Sequence, residues 1–395
     1  MSKNNKYQLQ ELIMNYLPIL FGYHASNLGN SHVPLSLCQY WYKSGRAVKL
    51  IVPSAEDDIS YPWLQPAITG LKKSLIYKLN VKDQPKGLTE KQFIHSEMAA
   101  TVVYLWAGLS LEIFEYFHEH GAKIIIERIN CHRATSRRIL KEAEKMWGIK
   151  PGKVISDDEI SGENRKLEIA DAIFCPSPMV RNSMIENGVP AEKLLSSSYG
   201  WEPQRFCSIP VLREEKSKLT FLFVGNLCLR KGVPLLLEAW KRANIDAELL
   251  LCGGIDEEIQ SNFAEQLKGK NIRHISYTKD IGEIYKQADV FVFPTLEEGG
   301  PMVTYEAMAH GITPLVTAMG AGAIVQDDIN GLVLPDMDID VWANAIKDIA
   351  KNRAKRIQLG ANARLRAQDF TWEKVAQQRA ELLEKRYPKL WEGCR

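Results

Sequence analysis

Two cations and two carboxylates stand out for their type and spacing. Arg230 and Lys231 lie in TFLFVGNLCLRKGVPLLLEAW, and Glu298 and Glu306, eight positions apart, lie in VFVFPTLEEGGPMVTYEAMAHGITPLVT. Each segment reads as a strand, a turn and a helix. The run from Asp289 to Pro294 has β-branched Val290 and Val292 and aromatic Phe291 and Phe293, as expected of a buried parallel strand. It ends in an acidic turn with Gly299 and Gly300, and Pro301 suits the first turn of a helix. Glu298 is therefore expected on the loop at the carboxyl end of a strand, and Glu306 inside the next helix. The other strand ends at Val224, Gly225 permits a tight turn, and Gly232 opens an amphipathic helix. That puts Arg230 and Lys231 on a loop at the same carboxyl edge. Open α/β sheets bind their ligands there, where helix N-termini offer free N–H groups and a positive dipole end. Two cations beside them suit a diphosphate. A third loop, TAMGAGAIVQ, brings Gly320 and Gly322, which let backbone N–H groups approach an anion. Alone, a Lys-Gly turn or a glycine pair is an ordinary helix start or turn. Their joint occurrence on successive strand ends points to a ligand site.

The elements that must position these residues alternate along the chain. In the first half, Tyr16–Tyr23 reads as a strand, apolar runs at Ala47–Val52, Thr101–Trp106, Ala122–Glu127 and Ala172–Cys175 predict further strands, and Leu194–Tyr199 is a candidate for the last. Val33–Lys43, Leu111–His120 and Thr135–Trp147 predict helices between them. The stretch Trp201 to Lys218, with Pro203, Pro210 and the charged run EEKSK, breaks the rhythm and reads as a linker. Strands then recur at Thr220–Val224, Ala247–Cys252, Ile272–Tyr277, Asp289–Phe293, Thr313–Thr317 and Leu332–Leu334, and Val341–Ile349 begins a helical tail. This βαβ order predicts an α/β fold of two Rossmann-like lobes, with parallel sheets facing across a cleft. The expected boundaries are a first lobe over 1–200, a linker over 201–218, a second lobe over 219–365 and a helical tail over 366–395.

The totals exclude several classes. A chain of 395 residues holds two sizeable cores, and 45% hydrophobic with 25% charged residues is ordinary for a globular protein. A net charge of +2 gives no argument for a nucleic-acid partner. Arg133, Arg137 and Arg138 cluster locally, and read as a solvated helix face in preference to an anion site. Seven scattered cysteines with no C-x-x-C pair suggest free thiols in a reducing compartment. The polar start and the interruption of Ile13–Phe21 by Asn15 and Pro18 argue against a signal peptide, and no run approaches a membrane span. The expected place is the cytoplasm. Asp157, Asp158 and Glu159 read as a solvated loop, and DMDID (Asp336 to Asp340) as a helix cap in preference to a metal site.

The second half resembles the retaining glycosyltransferases of family 4, which have the GT-B fold. The family's VGRLxxxKGxxxLLEA reads VGNLCLRKGVPLLLEA here, and its EGFGLVxxEAMAxGxPVV reads EGGPMVTYEAMAHGITPLV. GAIVQDDINGLVLP and FTWEKVAQQRAELLEKRY, with Trp372 in place, extend the match over about residues 218 to 390. The resemblance implies that the first lobe lies on the acceptor side and that the tail crosses back to it. It implies that Lys231 neutralises the diphosphate of a nucleotide-sugar donor, that Glu306 binds the two ribose hydroxyls, and that Glu298 holds hydroxyls of the donor sugar. N–H groups near Met302 and Val303 would contact phosphate, with Gly225, Asn226, Gly299 and Gly300 completing the substrate site. Asn226 stands where the family has Arg, and Arg230 is expected to supply that charge. In the first half the match is weaker. There Gly29 and Asn30 are candidates for a loop near the donor phosphates or acceptor, and His132 for a hydrogen bond to the donor sugar. His132 is equally a satisfied loop residue, and His24 is a less favoured candidate than either.

The activity so implied is transfer of a sugar, with retained configuration, to a saccharide or lipid-linked acceptor in surface polysaccharide, lipopolysaccharide or capsule synthesis. No cofactor and no metal are expected, and no protein nucleophile is assigned. Alternatives are a GT-B nucleotide-sugar 2-epimerase and a non-catalytic sugar-nucleotide binder. Trp63, Lys72, Lys73 and Lys78 mark the surface on which a peripheral contact with the inner membrane face is weighed against an ordinary mixed surface.

Overall fold

The computed structural model describes residues 16–26, 29–70, 84–149, 154–206, 218–278 and 280–392. Lys72, Lys73, Lys78, the polar start and most of the expected linker, 207–217, lie outside the described residues. The chain groups into two compact units. One comprises Met1–Glu127, Arg165–Ile173 and Ala376–Arg395, and the other Arg128–Asn164 and Phe174–Val375.

The first sheet has strands β1 (Leu17–Leu20), β2 (Val48–Val52), β3 (Leu64–Pro66), β4 (Val102–Trp106), β5 (Lys123–Glu127), β6 (Ala172–Cys175) and β7 (Leu194–Ser196). Their order is β3-β2-β1-β4-β5-β6-β7. β1 pairs in parallel with β2 on one side, Ile19 opposite Leu50, and with β4 on the other, Ile19 opposite Tyr104. β1 is shorter than its apolar run, ending at Leu20, although the Phe21 N–H still reaches the Ile51 carbonyl; the chain bends at Tyr23. β7 likewise stops three residues before Tyr199. β3 was not expected, because three residues ending in proline carry no alternation; such a segment suits only an edge. Asp157, Asp158 and Glu159 are not a loop but the first turn of helix Asp157–Ile169. Ser156 and Glu159 close that end reciprocally, each side chain accepting the other's backbone N–H at 3.0–3.1 Å, a capping box legible as S-x-x-E.

The second sheet has β8 (Leu219–Val224), β9 (Ala247–Cys252), β10 (Ile272–Ile275), β11 (Val290–Phe293), β12 (Thr313–Val316) and β13 (Leu332–Val333), in the order β10-β9-β8-β11-β12-β13. All the pairs are parallel. The strand order reverses at β8, which has β9 on one side and β11 on the other. β11 and β12 are buried throughout, and Phe221, Phe223, Phe291 and Phe293 fill the centre with rings 5.5–5.7 Å apart at Phe291–Phe293 and Phe223–Phe293. Helix Val233–Ala243 lays Val233, Leu236, Leu237 and Trp240 against this core. Each large side chain so buried contributes roughly 1.5–3 kcal/mol. The loop that carries Arg230 and Lys231 is thus held at both ends by core elements.

Candidate active site

The turn after β8 and the turn after β11 meet at the point where the strand order reverses, the usual ligand position of such a sheet. Their contact is close. Gly232 has φ 68° and a side chain there would meet the Pro294 carbonyl at 1.9 Å, so only glycine fits. The Leu296 N–H donates to the Arg230 carbonyl at 2.9 Å. Lys231, mostly buried and 5.0 Å from the Phe293 ring centre, is in contact with the Glu298 carboxylate. Arg230 donates to the Glu297 carbonyl at 3.0 Å and lies 3.7 Å from the Glu298 carboxylate. Burial, then the Arg230 guanidinium, pull the Lys231 ammonium down from 10.5 to about 7, against the opposing influence of Cys228 and then Glu297.

Helix Met302–Ala309 starts behind this turn with no side-chain cap. Met302 and Val303, half-buried, are its first residues, whose N–H groups have no partner within a helix. One turn further along, Glu306 is buried. Its Oε1 accepts from Arg205 Nη1 and its Oε2 from the Tyr285 hydroxyl, each at 2.9 Å. Burial pushes the Glu306 carboxyl up, while the Arg205 guanidinium and the Tyr285 hydroxyl pull it down.

Residues 207–366 match the family model described as glycosyl transferases group 1. This stretch is similar to that family. It carries β8, β11 and all four residues singled out by spacing. An uncharacterized glycosyltransferase of Haemophilus influenzae is 28% identical over 167 residues, 40% of this chain and 47% of that protein. A UDP-Gal:alpha-D-GlcNAc-diphosphoundecaprenol alpha-1,3-galactosyltransferase of Escherichia coli is 24% identical over 283 residues, 65% of this chain and 72% of that one. The first of these alignments spans about half the length of the curated relative it matches. Among solved structures, the sucrose-phosphate synthase of Thermosynechococcus elongatus superposes with a TM-score of 0.70 at 20% identity, covering 94% of this chain and 99% of its own. The two parallel-sheet α/β parts have the GT-B fold.

Around the paired loops after β8 and β11 stand residues that pattern alone did not reveal. Glu297, 1% exposed, accepts from Ser136 Oγ at 3.0 Å, Asn130 Nδ2 at 3.2 Å and Cys131 Sγ at 3.3 Å. Its neighbour Glu298 looks identical in sequence, yet only Glu297 faces this buried cluster. A side chain at Gly299 would meet the Ile129 carbonyl at 1.8 Å, and one at Gly300 the Tyr199 ring at 2.5 Å. Both glycines serve close packing of the acidic turn. Gly320 donates its N–H to Thr317 Oγ1 at 3.0 Å as part of a short helix cap, so that N–H is not left for an anion. Asn226 donates its amide to Asp256 beyond the carboxyl end of β8, and Gly225 donates to the Cys252 carbonyl at 2.9 Å.

His132 is 1% exposed and caps helix Arg133–Trp147. Its Nδ1 accepts from the Ala134 N–H at 3.2 Å and its Nε2 sits 2.8 Å from Asn164 Oδ1. Both ring nitrogens are therefore engaged within the unit, which corresponds to the satisfied reading. Burial lowers its pKa, more than the nearby Glu163 raises it, and holds the ring neutral. Arg133, Arg137 and Arg138 pair with Glu159, Asp157 and Glu142 at 3.2, 2.6 and 3.3 Å, as on a solvated helix face. Gly29 and Asn30 form an exposed 3-10 turn before helix His32–Lys43, in the other unit. His24, also exposed, has Nδ1 2.7 Å from Ser54 Oγ. Asp338 caps helix Ile339–Lys351 by accepting the Val341 N–H at 3.0 Å. Among the described residues, no three His, Cys, Asp or Glu side chains stand together as a metal site, and no helix is long and apolar enough to cross a membrane.

Proposed function

We propose that the chain transfers a sugar from a nucleotide-diphosphate donor to a hydroxyl of a saccharide or lipid-linked acceptor, with retention at the anomeric carbon. The observation that carries this reading is the meeting of Arg230, Lys231 and Glu298 at the β8–β11 reversal of a stretch similar to the group 1 family. Charge grows on the departing diphosphate as the sugar becomes oxocarbenium-like. Lys231, Arg230 and the first N–H groups of helix Met302–Ala309 stabilise that charge from fixed positions. The diphosphate competes with Glu298 for Lys231, and the Glu298 carboxylate so released accepts hydroxyls of the donor sugar. Glu306 accepts the two ribose hydroxyls, a task suited to a carboxylate with spare lone pairs. Arg230 supplies the charge absent at Asn226, whose amide is taken by Asp256. The acceptor hydroxyl attacks the face the diphosphate leaves, and the leaving phosphate takes its proton. No metal is required, so EDTA leaves the rate unchanged. The name of the Escherichia coli relative, which acts on a diphosphoundecaprenol-linked sugar, supports a lipid-linked acceptor; surface polysaccharide synthesis is the role we propose for that transfer.

The test is incubation with UDP-, GDP- and ADP-sugars, followed by nucleotide release and NMR of the sugar. A transferase releases nucleotide slowly from one class of donor even without acceptor. A new sugar isomer with no release marks a 2-epimerase, and neither outcome marks a binder.

A further inference from the structure

Three groups surround Glu306 from three elements. Arg205 comes from the turn Pro203–Arg205, Tyr285 from helix Ile281–Gln287, and His310 from the end of Glu306's own helix. His310 approaches the Glu306 backbone carbonyl, not its carboxylate, with Nδ1 at 2.7 Å. Its ring stacks 4.9 Å from Tyr285 and meets Phe206 edge-on at 4.7 Å. The Cys252 thiol lies near Tyr285 and burial holds it neutral, as burial holds the Tyr285 hydroxyl. The cation among these groups is Arg205, which is anchored through its neighbour Phe206 and keeps 31% of its side chain exposed.

We propose that Arg205 is a positioning residue for donor recognition: its guanidinium fixes the plane and the charge of the Glu306 carboxylate that accepts the ribose hydroxyls. This rests on the donor-site reading of Glu306. An ionised carboxylate offers about four lone-pair sites. Arg205 takes one on Oε1 and Tyr285 one on Oε2, which leaves one on each oxygen for a cis-diol. A carboxylate this deeply buried, left without its cation, takes up a proton instead of staying charged. A protonated carboxyl becomes a donor at one oxygen and no longer accepts both hydroxyls. The 101 positions between Arg205 and Glu306 hide this pairing from any local pattern.

Calorimetric titration of the wild type, Arg205→Met, Arg205→Gln and Arg205→Lys with UDP, GDP and ADP, and with the 2′,3′-dideoxy form of each, tests this near pH 6 and near pH 8.5. The wild type is expected to prefer the ribose form of one nucleotide by about tenfold at both values. The two neutral variants lose that preference near pH 6 and lose less of it near pH 8.5, because a carboxyl pushed up by burial ionises as the pH rises. Arg205→Lys keeps it throughout. Affinity for the dideoxy form stays within about twofold in every variant, since the diphosphate is still held at Lys231. Testing two neutral variants keeps the result readable if one of them fails to fold. An undiminished preference in the neutral variants at both pH values overturns the positioning role and leaves the donor reading standing. A wild type that binds no nucleotide, or binds ribose and dideoxy forms equally, overturns the donor reading and this role with it.

Discussion

At the scale of single residues, Lys231 has the most demanding position. It is buried beside another cation, with the Glu298 and Glu297 carboxylates near it, and in the proposed reading a donor displaces or shares them. If Lys231 stabilises the leaving group as proposed, replacing it with alanine should lower kcat about a hundredfold, on the order of 3 kcal/mol of barrier. Its pKa gives the sign of a pH effect. A lysine pulled down to about 7 holds its proton below that value and sheds it above. Nucleotide affinity measured by titration should therefore fall as the pH rises through 7 towards 9. Lys231→Arg, whose guanidinium stays protonated, should flatten that limb. The same residue shows what the sequence could and could not convey. The placement of Lys231 and Glu298 on adjacent strand ends was legible, because parallel-strand patterning fixes which loops share an edge. Their mutual contact was not, since side-chain pairing depends on rotamers that no spacing encodes. Arg205, Tyr285 and Glu297 were missed for the same reason: each acts through a partner far away in sequence.

At the scale of elements, the site is two loops pressed together and one helix behind them. Gly232 marks where the first loop passes the second. Gly232→Ala combines an unfavourable φ of 68° with a side chain 1.9 Å from the Pro294 carbonyl. It should destabilise by more than about 1 kcal/mol, seen in thermal melts, and should weaken nucleotide binding because Lys231 is its neighbour. His132 offers the opposite test. Its ring is a helix cap, and asparagine is a good cap. His132→Asn should therefore leave kcat near the wild-type value, whereas His132→Ala should lower stability by about 1 kcal/mol. A large loss of kcat in His132→Asn would return the residue to a role at the sugar. Strand positions in both sheets were readable from apolar runs because parallel strands are buried on both faces. Strand ends were less so. β1 ends at Leu20 although Phe21 continues the apolar run, β7 ends at Ser196 within a polar serine run, and β3 is too short to have a period.

At the scale of the molecule, each unit carries its own core. The described unit formed by Met1–Glu127, Arg165–Ile173 and Ala376–Arg395 is locked by a fully buried ion pair. Arg379 donates to both oxygens of Glu127 at 2.7 and 3.2 Å, and the Tyr104 hydroxyl contacts the same carboxylate. Arg379→Met leaves Glu127 buried and unpaired and should cost about 3–5 kcal/mol in denaturant unfolding; adding Glu127→Leu should recover much of it. Neither change touches the loops after β8 and β11, so nucleotide affinity in the folded fraction should hold. The two-sheet architecture was legible from βαβ order, and the strand-order reversal then singles out the β8–β11 edge as the place for a ligand. The most direct measurement of that claim is calorimetric titration of the wild type, Lys231→Met and Glu306→Gln with UDP-, GDP- and ADP-sugars. The account predicts binding of one donor class by the wild type and at least about tenfold weaker binding in each variant. Equal affinity in all three proteins, or none in the wild type, would contradict it.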